Sequence, residues 1–306
     1  MRYAELHCSS AFSFLEGASQ PEDLVERAAS LDLPAVALVD RPGLSGAPRF
    51  WKAAREAGIT PIVGAEIVLE DVVPRYTLNV ERSPARPGSE APESTQHLTF
   101  DVQHSTGTVG GNSQFAIRNS QLPGPLGLVP DPPPPGTPLP RLTLLAEDQR
   151  GYRNLCRLIT EAARDNPKGK ARASWHQVAG HTDGLHCLTG GAEGVLAQRL
   201  ALRGLTAALR ALEQLHGLFP GRLHVELQRH HLRDEEHRNR ALIDLAARLR
   251  LPVVATGGVR YAMPQDKELA DVLACIREGV TLDTAGRLLE AQRERHLKSA
   301  REVALL

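Results

Sequence analysis

The 306-residue sequence has no run of 18 apolar residues, and its beginning lacks a basic stretch followed by an apolar segment. The first absence argues against a transmembrane helix and a membrane partner, and the second against a secretory signal peptide. The sequence also lacks a charge excess, because 36 Lys and Arg residues are balanced by 36 Asp and Glu residues. A protein that binds nucleic acid on its own generally carries a basic surplus, so only a local basic face could do so here.

Cysteine is scarce as well. The four cysteines, Cys8, Cys156, Cys187 and Cys275, lie far apart and form no CxxC pair. This pattern favours reduced, mostly buried thiols in a cytoplasmic protein over a disulfide framework. We therefore expect a cytoplasmic location.

Residues 1–70 alternate between strand-like and helix-like segments. The strand-like segments read YAELHC, PAVALVD and TPIVGAEIVL. The segments between them, QPEDLVERAASLDL and GAPRFWKAAREAGI, have apolar residues at helical spacing. Alternation of this kind is typical of a parallel α/β sheet.

The stretch 71–140 interrupts this pattern and holds 13 of the 22 prolines, including PDPPPPGTPLP. Such a composition buries too little apolar surface to offset the loss of chain entropy on folding. We predict a long, largely disordered insertion within one domain, with a short strand or two near HLTFDVQH. The alternation then resumes over 141–280, and the whole chain has seven strand–helix units, close to the number that closes a barrel of the TIM type.

Polar side chains gather where the predicted strands end, and in an α/β barrel those ends line one rim. Three carboxylates and one imidazole at such a rim would make a credible metal site for phosphoester hydrolysis. These candidate ligands are His7, Glu16, Asp40 and Glu66. Three arginines, Arg41, Arg141 and Arg260, fall among them and argue against a metal, because a guanidinium stays protonated and has no lone pair to donate.

Several long segments carry a family resemblance: YAELHCSSAFSFLEGAS, ALVDRPGLSGAPRFWKAAREAGITPIVGAEI, LPVVATGGVRYAMPQDKELADVLACIREGVTLD and RERHLKSA. They resemble the polymerase-and-histidinol-phosphatase (PHP) domain that opens bacterial C-family DNA polymerases, above all the error-prone branch related to the polymerase III alpha subunit. The resemblance covers 1–70 and 140–306. It implies a distorted (β/α)7 TIM-like barrel.

The resemblance also implies a metal site, because family members with an intact site bind up to three metals and can hydrolyse phosphodiesters. The retained ligand-like positions are His7, Glu16, Asp40 and Glu66. Six positions at which the family carries ligands hold other residues here: Ser9, Arg41, Arg141, Gly191, Gly258 and Arg260. The resemblance thus indicates the remains of a metal site.

Two functions follow as hypotheses. In the first, the chain is the non-catalytic PHP module of an error-prone DNA polymerase, without a cofactor, and its arginines neutralise the leftover carboxylates. In the second, the retained positions hold one Zn²⁺ or Mn²⁺ and act as a residual phosphoesterase or 3′–5′ exonuclease. The arginines and the lost ligands favour the first.

The resemblance further implies what surrounds the module. Residues 281–306 are expected to begin a linker toward a polymerase body that lies beyond residue 306 and uses Mg²⁺ for nucleotidyl transfer in damage-tolerant synthesis. The implied partners are the rest of the polymerase chain, DNA, the sliding clamp and mutagenesis accessory proteins.

Two other motifs are predicted to be structural. His230, His231 and His237 are expected in a solvated loop, and the glycine-rich GGAEG at 190–194 in a turn.

Overall fold

The fold is described from a computed structural model, which describes residues 3–70 and 138–306. The predicted insertion, apart from 138–140, and the strand predicted near HLTFDVQH lie outside these residues. The strands are β1 Glu5–Cys8, β2 Ala35–Asp40, β3 Thr60–Val68, β4 Arg141–Ala146, β5 Leu185–Leu188, β6 Leu223–Gln228 and β7 Val253–Thr256. The helices are α1 Pro21–Ser30, α2 Ala47–Glu56, α3 Gln149–Arg164, α4 Trp175–Ala179, α5 Val195–Leu218, α6 Glu235–Leu249, α7 Lys267–Glu278, α8 Leu282–Ala285 and α9 Ala300–Leu305.

The seven strands form one sheet in sequence order, with β1 and β7 at its two ends. These ends meet just beyond β7, where the Ser9 amide donates to the Val259 carbonyl at 2.8 Å and the Val259 amide donates to the His7 carbonyl at 2.7 Å. The sheet is therefore a nearly closed barrel, which confirms the predicted fold.

The parallel pairing expected over residues 1–70 is present in β1, β2 and β3, but β4 departs from it. β4 runs antiparallel to both neighbours, with Arg141 opposite Val68 of β3 and Thr143 opposite Leu188 of β5. A parallel pair normally needs a crossover helix, and the proline-rich sequence between β3 and β4 carries no helical pattern. As a result β4 begins at the rim where the other strands end, which brings Arg141 to that rim.

Apolar side chains pack against both faces of the barrel sheet. Inside, Ala37, Val39, Leu145 and Leu188 form a small cluster. Outside, a larger cluster joins the sheet to α3, α5 and α6 through fully buried residues such as Leu155, Leu212 and Leu245. Each fully buried leucine contributes about 1.5–3 kcal/mol to folding, so this outer layer holds the helices in place.

Local signals explain where the helices begin and break. Asp148 caps α3 by accepting a hydrogen bond from the Gly151 amide at 2.8 Å. α5 contains a break at Gly204, which has φ 78° and ψ −175°. Only glycine adopts that conformation readily, so it separates two helical segments.

The last part of the chain packs back onto the barrel rim. The Arg260 amide donates to the Arg295 carbonyl at 2.9 Å, and the Leu297 amide donates to the Tyr261 carbonyl at 3.2 Å. Leu297 is fully buried. In the part of the chain that the structure describes, the four cysteines are free, and no helix has the length and apolarity needed to cross a membrane.

Candidate functional site

The polar residues predicted at the strand ends line a single cavity at the barrel rim. It has a volume of about 20 Å³, which is room for one water molecule. Its lining comprises His7, Ser9, Glu16, Glu66, Arg141, Gly191, Ala192, Glu193, Gln228, Gly258, Arg260 and Arg295. The rim therefore brings together three of the four retained ligand-like positions and five of the six lost ones.

His7, at the end of β1, is buried between two carboxylates. Its Nδ1 lies 2.8 Å from Glu226 Oε1, and its Nε2 lies 3.7 Å from Glu66 Oε1. Burial by itself would lower the pKa of His7, but the charges and hydrogen bonds of Glu226 and Glu66 outweigh it and raise the pKa to about 10. Both ring nitrogens of His7 therefore face carboxylate oxygens, which favour the protonated form of the imidazole.

Arg141, at the start of β4, contacts three carboxylates with one guanidinium nitrogen. Its Nη1 lies 2.9 Å from Glu66 Oε2, 3.2 Å from Glu16 Oε2 and 2.7 Å from Glu193 Oε2. Burial would raise the pKa of Glu66, but His7 and the arginines Arg141 and Arg41 overcome that effect and lower it to about 2. The guanidinium thus lies where the three carboxylates converge.

The network extends to both sides of Arg141. On one side, Arg41 pairs with Glu16. On the other side, Arg260 lies 3.3 Å from Glu193 and 3.0 Å from Glu290. Burial acts to lower the pKa of Arg260, but Glu193 and Glu290 outweigh it and raise the pKa. Positive and negative side chains therefore alternate across the rim, and each carboxylate has a cationic partner.

Asp40, the fourth candidate ligand, does not line the cavity. It accepts hydrogen bonds from the Ser10 amide at 2.6 Å and from the hydroxyls of Ser10 and Ser13 at 2.8 and 2.9 Å. Burial raises the pKa of Asp40, and these hydrogen bonds offset part of that rise. Its carboxylate holds the loop that follows β1 against the end of β2.

The two glycines at lost ligand positions face Gln228 of β6. A Cβ added at Gly191 would lie 2.0 Å from Gln228 Oε1, and one added at Gly258 would lie 2.6 Å from the same atom. Gln228 is buried, and its amide donates to Glu226 Oε1 at 2.7 Å. Gln228 therefore fills the space that a ligand side chain at either glycine would need.

Sequence reasoning missed Glu193, Glu226, Gln228 and Arg295. In RLHVELQ the polar residues His224, Glu226 and Gln228 alternate with apolar ones, so they share one face of a buried strand, and this was the available signal. The GGAEG segment was predicted as a turn, and the pairing of its glutamate with Arg141 and Arg260 had no signal in the local sequence.

The prediction of a solvated loop at His230 is wrong. His230 is buried, with Nδ1 2.9 Å from Glu235 Oε1 and Nε2 2.8 Å from the Gly257 carbonyl. The Glu235 carboxylate also accepts from the amides of His230 and Leu232, at 2.6 and 3.1 Å. His230 therefore links the loop before α6 to the loop after β7 through hydrogen bonds.

The donor set at the rim does not fit a metal ion. Within residues 3–70 and 138–306, no group of three or more His, Cys, Asp or Glu side chains is arranged to hold one. The carboxylates that face the cavity already bind guanidinium groups, and both ring nitrogens of His7 face carboxylates. An added cation would have to displace Arg141 against charge repulsion from Arg41 and Arg260.

Comparison with known proteins identifies the family of this chain. The sequence pattern of the PHP domain family matches residues 5–230. The chain belongs to the PHP domain family. This finding confirms the predicted resemblance to the PHP domain.

This PHP domain is 36% identical to the error-prone DNA polymerase of Nocardia farcinica, over 99% of this chain and 26% of that protein. It is also 36% identical to the error-prone DNA polymerase of Mycobacterium tuberculosis, over 99% of this chain and 23% of that protein. The chain thus spans about a quarter of the length of these curated relatives. Among solved structures it is similar to an amidohydrolase from Chromobacterium violaceum, with a TM-score of 0.44, 14% identity, and coverage of 84% of this chain and 87% of that one.

Proposed function

We propose that this PHP domain is a non-catalytic structural module of an error-prone DNA polymerase, in which an ion-pair network occupies the place of the family's metal centre. The observation that carries the proposal is Arg141 Nη1, which lies within 3.2 Å of carboxylate oxygens of Glu16, Glu66 and Glu193. A permanently charged guanidinium does there what a divalent cation does in a metal site, because it neutralises converging carboxylates.

The energetics support this role. A buried carboxylate without a partner costs several kcal/mol or becomes protonated. Glu66 and Glu226 are both buried, and each has a cationic neighbour, Arg141 for the first and His7 for both. Charge-assisted hydrogen bonds of this kind offset the desolvation of the two carboxylates. The site is therefore compatible with a stable fold that needs no metal.

Residual metal-dependent hydrolysis, the alternative hypothesis, would need His7, Glu16, Asp40 and Glu66 to converge on one ion. Asp40 instead binds Ser10 and Ser13, and the guanidinium of Arg141 lies between Glu16 and Glu66. These observations favour the structural role over a phosphoesterase or exonuclease.

We place the module in the longer polymerase as follows. Residues 1–70 and 141–280 form the barrel around the insertion at 71–140, and 281–306 lead toward the polymerase body. That body would carry the Mg²⁺-dependent nucleotidyltransferase activity of damage-tolerant DNA synthesis and repair, in the cytoplasm. Its partners would be DNA, the sliding clamp and mutagenesis accessory proteins.

The test is the metal content of the purified chain, measured by ICP-MS after dialysis against trace Zn²⁺ and Mn²⁺. We expect no stoichiometric metal in the wild type or in His7→Ala. A metal bound at one equivalent by the wild type and absent from His7→Ala would contradict the proposal. In that case, removal of a 3′-terminal nucleotide from single-stranded DNA would be assayed next.

A further inference from the structure

Helix α7 is apolar in sequence but exposed in the structure. It reads KELADVLACIRE, and only Cys275 among its 12 residues is buried. By contrast, α1 buries four of 10 residues and α6 buries four of 15. A helix in a globular protein normally turns its apolar stripe toward the core. α7 packs chiefly against its short neighbours, α8 and the turn Pro264–Asp266, so most of its apolar surface has no cover within the described residues.

The exposed side chains of α7 form one stripe. Leu269, Val272 and Ile276 are 50%, 39% and 60% exposed, and their spacing of three and four residues places them on one side of the helix. Leu282 of α8 and Leu288 beyond it are also exposed. We call these five residues the α7 face. Isolated exposed apolar residues are ordinary, but a contiguous apolar patch marks an interaction surface.

The charges beside this face are paired with one another. Lys267 Nζ lies 2.6 Å from Asp271 Oδ2, and Arg277 Nε lies 2.9 Å from Glu278 Oε1. Arg277 also donates to the Leu15 carbonyl at 3.1 Å, which ties the end of α7 to the loop after β1. With its neighbouring charges neutralised in this way, the α7 face suits an apolar partner better than a nucleic acid or another strongly charged one.

The position of α7 in the comparisons indicates which partner that is. α7 and α8 lie beyond residue 230, where the match to the PHP domain family ends. They still lie within the 99% of the chain that matches the error-prone polymerases, of which the chain spans about a quarter. The α7 face therefore belongs to the part shared with polymerases, and about three quarters of those proteins lie outside the matched part.

We propose that the α7 face is the surface through which this PHP domain docks onto the polymerase body, by apolar contact with Leu269, Val272 and Ile276 at its centre. The inference rests on the proposed function, because it assumes a polymerase body. Relative motion of two domains is the default unless their interface is apolar, and an apolar contact on the α7 face would restrict that motion.

Hydrogen exchange tests this directly in a full-length protein. The chain is joined in place of the matching quarter of the Nocardia farcinica polymerase, and exchange of the α7 amides is compared with that in the isolated 306-residue chain. We expect exchange in α7 to be about tenfold slower in the chimera, because docking suppresses local opening of the helix. Exchange in α1, on another part of the barrel, should be equal in the two proteins.

A matched pair of substitutions links the protection to the face. Ile276→Lys lies on the α7 face, and Ile243→Lys lies at a 45% exposed position of α6, away from it. In the chimera, Ile276→Lys should return α7 exchange to the rate in the isolated chain, and Ile243→Lys should leave it slow. The milder Leu269→Ser should give an intermediate rate, and all three isolated variants should keep the wild-type circular dichroism spectrum.

The outcomes separate this inference from the proposed function. A chimera that extends a DNA primer while its α7 exchanges as fast as in the isolated chain would refute the docking surface and leave the structural module in place. A chimera whose barrel unfolds separately from an active polymerase body would refute both. An isolated chain that sediments as a dimer, and as a monomer after Ile276→Lys, would mean that a second copy covers the α7 face and would also refute the proposal.

Discussion

The barrel rim and the α7 face differ in which side chains they bury and which they expose. At the rim, charged residues are buried, and each finds its partner inside the domain, as Arg141 does with Glu16, Glu66 and Glu193. On α7, apolar residues are exposed and find no cover among the described residues. The comparison indicates that the charged groups of the rim are satisfied within the domain, whereas the apolar residues of α7 are not covered by the described residues.

The largest expected loss of stability comes from removing the guanidinium at the centre of the rim network. Arg141→Leu removes the guanidinium and leaves Glu66 buried beside Glu16 and Glu193 without its main cation. Removing one partner of a buried ion pair costs about 3–5 kcal/mol, and we expect a loss of that order in the free energy of unfolding. Urea denaturation followed by circular dichroism measures it.

The control for this variant is Arg49→Leu, which breaks a pair with Glu22 that is half exposed on both sides. An exposed pair contributes about 0–1 kcal/mol, so this variant should remain close to the wild type. Equal losses in the two variants would show that the rim network is not specially stabilising.

The second effect tests the packing of Gln228. Gly258→Asp restores a carboxylate at a lost ligand position, but its Cβ would meet Gln228 Oε1 at 2.6 Å, at a backbone φ of 54°. Overpacking in a closed interior costs about 1–3 kcal/mol. We expect a loss of this size, and partial recovery in Gly258→Asp combined with Gln228→Ala.

Thermal unfolding of the single and double variants checks this expectation. Gln228→Ala alone is the matched control, since it removes the obstacle without adding the carboxylate. If the double variant is no more stable than Gly258→Asp, the steric explanation is wrong.

The third effect is the dependence of stability on pH. The pKa of Glu66 is lowered to about 2 from 4.5, so its contribution is present above pH 4.5 and is lost as the pH falls toward 2. The pKa of His7 is raised to about 10 from 6.5, so its contribution is complete below pH 6.5 and is lost as the pH rises toward 10. Stability should therefore be greatest between these limits.

Two variants separate the acid and alkaline limbs of this profile. Glu66→Gln should flatten the decline below pH 4.5, and His7→Gln should flatten the decline above pH 6.5. Urea midpoints measured from pH 3 to pH 10 provide the test. An unchanged profile in both variants would mean that other groups control the pH response.

The smallest effect belongs to the α7 face. Leu269→Gln changes a half-exposed residue, and we expect the free energy of unfolding of the isolated chain to change by less than about 0.5 kcal/mol. The matched comparison is Leu245→Ala on α6, where the leucine is fully buried and truncation costs about 2–5 kcal/mol. A large loss in Leu269→Gln would show that α7 already packs against part of this chain.

The composition of the site followed from the sequence more readily than its arrangement. His7, Glu16 and Glu66 were expected at one rim because consecutive strand ends converge in a barrel. Asp40 was expected at the same rim, yet its carboxylate binds Ser10 and Ser13. Which neighbours this carboxylate binds depends on the folded position of the loop after β1, and the sequence does not give that position. Glu226 and Gln228 were missed because strand periodicity identifies a face without saying what lies opposite it.

What the sequence determined by itself was the set of elements and the chemistry of the candidate ligands. Apolar spacing defined the strands and helices, and three arginines among the candidate ligands argued against metal binding, because a guanidinium has no lone pair to donate. Only the tertiary structure decided that β4 runs antiparallel, that Arg141 joins three carboxylates, and that α7 is left uncovered. The physical reason is distance along the chain: Glu16, Arg141 and Glu193 meet only when the barrel closes, and burial of a helix depends on which neighbours the closed barrel provides.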